Sequence, residues 1–182
     1  MKMPHRMVMG FVLGMLLVVN AGLGQEPAER YVVKDHDGGD GEFLSWETAA
    51  PDIQSAIDAA NAGDTIWVAP GVYDSGTHSG PDSTPNRVAI DKAVTVISSE
   101  GPDVTLIVGA RDPEGVAGTG DAAVRGVYMG DGAALIGFTV TNSATLNSTH
   151  SNGTGYGAGV RALGGDLGVV ISNCVVVGNF AN

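Results

Sequence analysis

The stretch Ile53-Gln54-Ser55-Ala56-Ile57-Asp58-Ala59-Ala60-Asn61-Ala62-Gly63-Asp64-Thr65-Ile66-Trp67-Val68-Ala69-Pro70-Gly71-Val72-Tyr73 constrains the fold more than any other part of the chain. Ile53, Ala56, Ile57 and Ala60 fall at helical spacing, so they share one face of a short helix. Pro51 suits the first helical turn, where its missing N–H costs nothing. Gly63 suits a left-handed stop. The helix has little apolar bulk and is marginal alone, so it needs a surface to cover. One strand and a tight turn follow.

Beyond Gly63 no helix-length periodic segment recurs. Short Val- and Ile-rich runs take over, at 65–69, 87–90, 94–97, 105–108, 126–129, 135–140, 159–163, 169–171 and 174–177. Gly, Asp or Asn bounds most of them, as turns between strands require. An earlier strand candidate is Tyr31-Val32-Val33. Parallel strands ordinarily need helical crossovers. A solenoid avoids them, because each coil returns the chain to the next rung through turns.

Internal similarity points the same way. Val127 aligned with Val160 gives a spacing of 33, and Phe138 aligned with Cys174 gives 36. One repeat with a loop of variable length explains both. The pattern predicts an all-β, right-handed parallel β-helix with an N-terminal capping α-helix. The helix would close the apolar end of the first coil, whose strand groups are otherwise open. An antiparallel β-sandwich is the alternative that pattern alone leaves open. The long polar stretches 74–86, 111–121 and 143–156 read as loops.

The ends and the charge narrow the class. Residues 1–24 carry the signal-peptide pattern: Lys2, His5 and Arg6, then an uncharged apolar run at 7–19, then small residues up to Gly24. That run is shorter than the ~20 residues a bilayer span needs. The expected organisation is a signal peptide at 1–24, an Asp- and Gly-rich segment with one early strand at 25–50, and the helix with its coils at 51–182. The chain has 20 acidic against 9 basic residues. It carries no basic stripe, which argues against nucleic acid and anionic lipid as partners. The single cysteine, Cys174, excludes an internal disulfide framework. Its apolar neighbours suggest a small core-facing residue.

Ser45-Trp46-Glu47-Thr48-Ala49, then Ile53-Gln54-x-Ala56-Ile57-Asp58-Ala59-Ala60, then Gly63-Asp64-Thr65-Ile66-x-Val68-Ala69-Pro70-Gly71-x-Tyr73, together resemble the N-terminal region of bacterial exported β-helix proteins of the pectin-lyase-like superfamily. Ile136-Gly137-Phe138-Thr139-Val140-Thr141-Asn142 and Asn173-Cys174-Val175-Val176-Val177-Gly178-Asn179 are similar to its coil repeats. The resemblance covers about 31–182 and implies a secreted or cell-surface location. It does not select an activity, because that fold hosts lyases, hydrolases, epimerases, adhesins and non-enzymatic surface proteins. Members usually continue for many coils, whereas this chain stops at Phe180-Ala181-Asn182. The expectation is therefore the N-terminal portion of a longer protein.

Candidate chemistry is scattered. Asp35, Asp37 and Asp40 alternate with Gly and could wrap Ca2+. The calcium-loop spacing is absent, since Trp46 stands where its terminal Glu would be, so a solvated turn is the plainer reading. Asp74, His78 and Asp82 share the first long loop and could supply acid–base chemistry to a glycosidic bond. Arg87, Arg125 and Arg161 sit on or beside strands. The repeat alignment puts Arg161 opposite Tyr128 and Arg125 opposite Ala158, so they do not form one ladder and read as surface arginines. Arg87 and Trp67 are candidates for ligand binding, Trp67 by stacking on a sugar ring or else by packing beneath the helix. Asn142, Asn173 and Asn179 suit turns, where Asn tolerates left-handed geometry and can hydrogen-bond along the stack.

The expected function is an exported β-helix surface module, non-catalytic, structural or carbohydrate-contacting. The alternative is a polysaccharide lyase or glycoside hydrolase. No cofactor is required, with Ca2+ the one candidate ion. The partners expected are extracellular polysaccharide or cell-surface components, with no membrane span in the mature chain.

Overall fold

A computed structural model describes residues 26–146 and 155–181. The expected signal peptide lies outside them. In chain order the elements are β1 (Glu29–Val32), α1 (Ile53–Ala59), β2 (Thr65–Val68), β3 (Gly71–Tyr73), β4 (His78–Ser79), β5 (Pro85–Ile90), β6 (Thr95–Ser98), β7 (Thr105–Val108), β8 (Arg125–Met129), β9 (Ala134–Ile136), β10 (Thr139–Thr141), β11 (Val160–Ala162), β12 (Val170–Ser172) and β13 (Val175–Val177).

Three sheets surround one core. Sheet A runs β1-β2-β6-β9-β12, sheet B β3-β7-β10-β13 and sheet C β4-β5-β8-β11. Every pairing between these strands is parallel except β4 with β5. The chain is thus an all-β parallel β-solenoid of about four turns, and the sandwich alternative is excluded. Val127 pairs with Val160 and Thr139 with Val175, the steps of 33 and 36 read from the sequence. Loops absorb the difference.

Inward positions stack in register. Ile66, Val96 and Leu135 line up on sheet A, and Val88, Val127 and Val160 on sheet C. Each fully buried aliphatic side chain contributes about 1.5–3 kcal/mol. Cys174 is partly buried against this core, as expected, and its Sγ lies 3.2 Å from the Ser172 carbonyl.

The run 135–140 is not one strand. Gly137 takes φ 80° and turns the chain from sheet A to sheet B, with Phe138 fully buried at the corner. Asn173, at φ 48°, occupies the same corner one coil later. Asn142 and Gly178 share the next corner, at φ 51° and 67°. Asn179 does something else. Its Oδ1 accepts from the Ser143 amide at 3.0 Å and its Nδ2 donates to the Val140 carbonyl at 3.0 Å, tying one coil to the next. The segment 71–73, expected to be a turn, is instead a strand of sheet B.

The helix is shorter than its apolar pattern. Asp52 caps it by accepting from the Ser55 amide at 2.9 Å, so Pro51 lies before the helix and not in its first turn. It ends at Ala59, with Gly63 several residues beyond. The cause is Asp64, whose buried carboxylate takes the Asn61 amide at 2.9 Å and the Ala28 amide at 2.8 Å. Asp64 also pairs with buried Arg30 at 3.3 Å, linking β1 to the turn before β2. Ile53, Ala56, Ile57 and Ala60 all enter the core. Gln54 is buried too. Its side chain accepts from the Ala89 amide at 2.9 Å and donates to the Ala89 carbonyl at 3.1 Å, satisfying the open edge of β5.

Candidate functional site

Sheet C carries a bulge that decides where its charged side chains go. The consecutive amides of Gly126 and Val127 both donate to the next coil, to Ala158 at 2.9 Å and Gly159 at 2.8 Å. Regular strands send successive amides to opposite sides, so two together mark a bulge. Gly126 and Val127 both face the core; a Cβ on Gly126 would lie 2.4 Å from Val140 Cγ1. Arg125 and Tyr128 are left on the outer side.

There Arg125 donates to Asn86 Oδ1 at 3.0 Å, to Asp82 Oδ2 at 3.1 Å and to the Tyr156 carbonyl at 3.2 Å. Arg161, from the following coil, places its Nε 3.5 Å from the same Asp82 oxygen. Arg161 does pair with Tyr128 in register, as the repeat predicts. The reading of these residues as surface arginines fails, however. The Arg125 side chain is 0% exposed, Asp82 7% and Arg161 16%. Burial pushes the Asp82 carboxyl up, but hydrogen bonds from Arg125 and the Thr84 amide, with the charges of Arg125 and Arg161, outweigh it and hold the carboxyl below its usual range. Asp82 is a counter-ion, poorly suited to donate a proton.

A second group surrounds a cavity of ≈ 190 Å³. The start of α1, the loop after β3, β4 and β5 form its walls, with Lys34, Gln54, Tyr73, His78 and Arg87 among the lining residues. Arg87 is 8% exposed. It donates from Nε to the Val108 carbonyl at 2.7 Å and from Nη1 to the Gly76 carbonyl. Burial lowers its pKa. Burial likewise pushes the Tyr73 hydroxyl up, and that group donates to the Ala69 carbonyl at 2.9 Å. Asp74 sits 3.9 Å from Lys34 Nζ. The loop candidates therefore separate. His78 joins Arg87 at the cavity, Asp74 faces Lys34, and Asp82 turns to Arg125 and Arg161. Asp74 and Asp82 serve different cations.

Nor are Asp35, Asp37 and Asp40 gathered. Lys34 Nζ holds Asp35 at 2.8 Å, Asp37 lies 3.0 Å from His36 Nδ1, and Asp40 accepts the Glu42 and Phe43 amides at 3.0 and 3.1 Å. Those amides lower the Asp40 pKa. Among the described residues no group of three or more His, Cys, Asp or Glu could hold a metal ion.

Trp67 lies on the outer side of sheet A, in register between Tyr31 and Ile97 and alternating with buried Ile66 and Val68. Its Nε1 donates to Glu29 Oε1 at 3.3 Å, and the Tyr31 hydroxyl donates to Glu29 Oε2 at 3.0 Å. That hydrogen bond raises the Tyr31 pKa. The Tyr31 ring centre is 4.7 Å from that of Trp46, with planes at 60°, and Trp46 is 40% exposed. Sequence reasoning found Trp67 but missed Tyr31, Trp46 and Glu29 as its companions, and missed Lys34, Gln54 and Asn86. Gly126 was the one visible signal of the bulge, since a glycine inside a strand often marks one.

No family model matches this chain, and no curated protein or solved structure is significantly similar to it. Among the described residues no helix is long and apolar enough to cross a membrane.

Proposed function

We propose that this chain is an exported, non-catalytic surface module of the right-handed parallel β-helix class that contacts carbohydrate through the outer side of sheet A. The carrying observation is the pair Tyr31 and Trp67, both hydrogen-bonded to the Glu29 carboxylate, with Trp46 packed on the Tyr31 ring. Aromatic faces offer an apolar platform to the C–H faces of a sugar, and a fixed carboxylate orients hydroxyls. The right hand follows from the strong preference of parallel crossover connections. The capping role of α1 draws support from Gln54, which satisfies the edge of β5. The pectin-lyase-like resemblance favours bacterial secretion, with extracellular polysaccharide as partner. The lyase or hydrolase reading draws less support, because Asp74 and Asp82 are engaged by separate cations.

The test is affinity electrophoresis of the purified chain in gels containing neutral or acidic polysaccharides. At least one polymer should retard it. Trp67→Ala should weaken that retardation roughly fivefold, the ~1 kcal/mol of one stacking face. Equal retardation of parent and variant by every polymer, or none for either, refutes the reading.

A further inference from the structure

We infer that the cavity between α1, the loop after β3 and strand β5 binds a small oxyanion. This site is separate from the sheet A aromatics and does not depend on the carbohydrate reading. Arg87 carries the inference. The residue is more than nine-tenths buried, yet its guanidinium hydrogen bonds go to two neutral carbonyls, those of Val108 and Gly76. Among the described residues no carboxylate makes an ion pair with it; the Asp74 charge acts on it from farther away, Asp74 itself lies 3.9 Å from Lys34 Nζ, and Asp82 faces Arg125 and Arg161. A buried cation without an anion in direct contact is costly, and a bound anion reduces that cost.

The walls suit the same ligand. Lys34, whose Nζ already holds Asp35 at 2.8 Å and lies 3.9 Å from Asp74, has further N–H donors, and His78 and Ser75 line the cavity with it and Arg87. Asp52 is the one acidic residue on the walls, and its two oxygens are taken by the Ser55 amide at 2.9 Å and the Ser55 hydroxyl at 2.7 Å. The volume of ≈ 190 Å³ falls below the roughly 300–1,000 Å³ of sites for larger molecules. It fits a single carboxylate, sulfate or phosphate group with little attached. The site is assembled from four stretches of chain, at Lys34, 51–54, 73–78 and 87–88, so it exists only in the folded coil.

The test is a titration of the 15N-labelled chain with sodium acetate, sulfate or phosphate, against sodium chloride at matched ionic strength. At least one oxyanion should give saturable shifts at millimolar concentration, confined to the amides of Ser75, Gly76 and His78 and the Arg87 Nε–H. Acetate alone saturating would assign a carboxylate group, and sulfate or phosphate alone a tetrahedral one. Lys34→Gln and His78→Gln should each weaken binding about fivefold, and Arg87→Met should abolish it. If Arg87→Met does not fold, the other two variants decide by the same criterion. Shifts that chloride reproduces, that never saturate, or that persist at equal affinity in Lys34→Gln and His78→Gln overturn the inference.

Discussion

Asp82→Asn tests the central electrostatic contact of the coil. In the parent, one carboxylate faces Arg125, with no exposed side-chain surface, and Arg161 on the following coil. Asparagine keeps the shape and can still accept from the Thr84 amide, now 3.1 Å from Asp82 Oδ1. Arg125 also keeps its bonds to Asn86 and Tyr156. What disappears is the charge opposite a buried guanidinium. Breaking a buried pair costs about 3–5 kcal/mol, and the partial exposure of Arg161 places this case near 3 kcal/mol. With a urea dependence of about 2 kcal/mol/M, the unfolding midpoint followed by circular dichroism should fall by about 1.5 M at pH 7. The sign with pH is fixed. The folded-state pKa of Asp82 is depressed, so its stabilisation is present above the unfolded value near 4 and is lost as pH falls through the folded value. The gap between parent and variant should close over that window. Arg125→Met should be less harmful in the Asp82→Asn background than in the parent. A midpoint change worth under about 0.5 kcal/mol, an unchanged gap at acid pH, or strict additivity with Arg125→Met refutes the reasoning.

Phe138→Ala empties a fully buried corner between sheets A and B and should cost about 3–5 kcal/mol in urea unfolding. Gly126→Ala puts a methyl 2.4 Å from both the Gly159 carbonyl and Val140 Cγ1; it should cost about 1–3 kcal/mol and displace Arg125, visible as altered shifts of its guanidinium protons. Asp131 accepts the amides of Gly165, Leu167 and Gly168 from the following coil, so Asp131→Ala should speed hydrogen exchange at those three amides and leave the amides of β2 unchanged.

The strands were readable because short apolar runs recur between turn residues, at steps of 33 and 36 in the last turns. Val127 over Val160 needs nothing beyond the spacing, and the register reproduces it. The helix face was readable for the same reason, since Ile53, Ala56 and Ile57 follow helical spacing. Its end was not, because Asp64 competes for the Asn61 amide through a contact with distant Arg30 and Ala28. The split of 135–140 was half-visible in Gly137. Nothing local showed that the chain changes sheets there.

The candidate site divides along the same line. In the sequence Arg125 and Arg161 stand out as charged residues on or beside strands, and Asp82 as an acidic residue of the first long loop. Their convergence requires a bulge at Gly126 and a loop folding back through the short β4–β5 hairpin. Arg87 and His78 meet Lys34 only because one coil lies above the next. By itself the sequence determined the coil in outline: short apolar strands bounded by turn residues, an amphipathic helix before them, and repeat steps of 33 and 36 in its last turns. Those properties follow from side-chain hydrophobicity and from backbone preferences of glycine and asparagine, which act over a few residues. The tertiary structure alone decided the partners of each charge. Pairing is set by distances between residues such as Arg125 and Asn86, 39 positions apart, or Arg125 and Asp82, 43 apart, and one bulge or one loop is enough to redirect it.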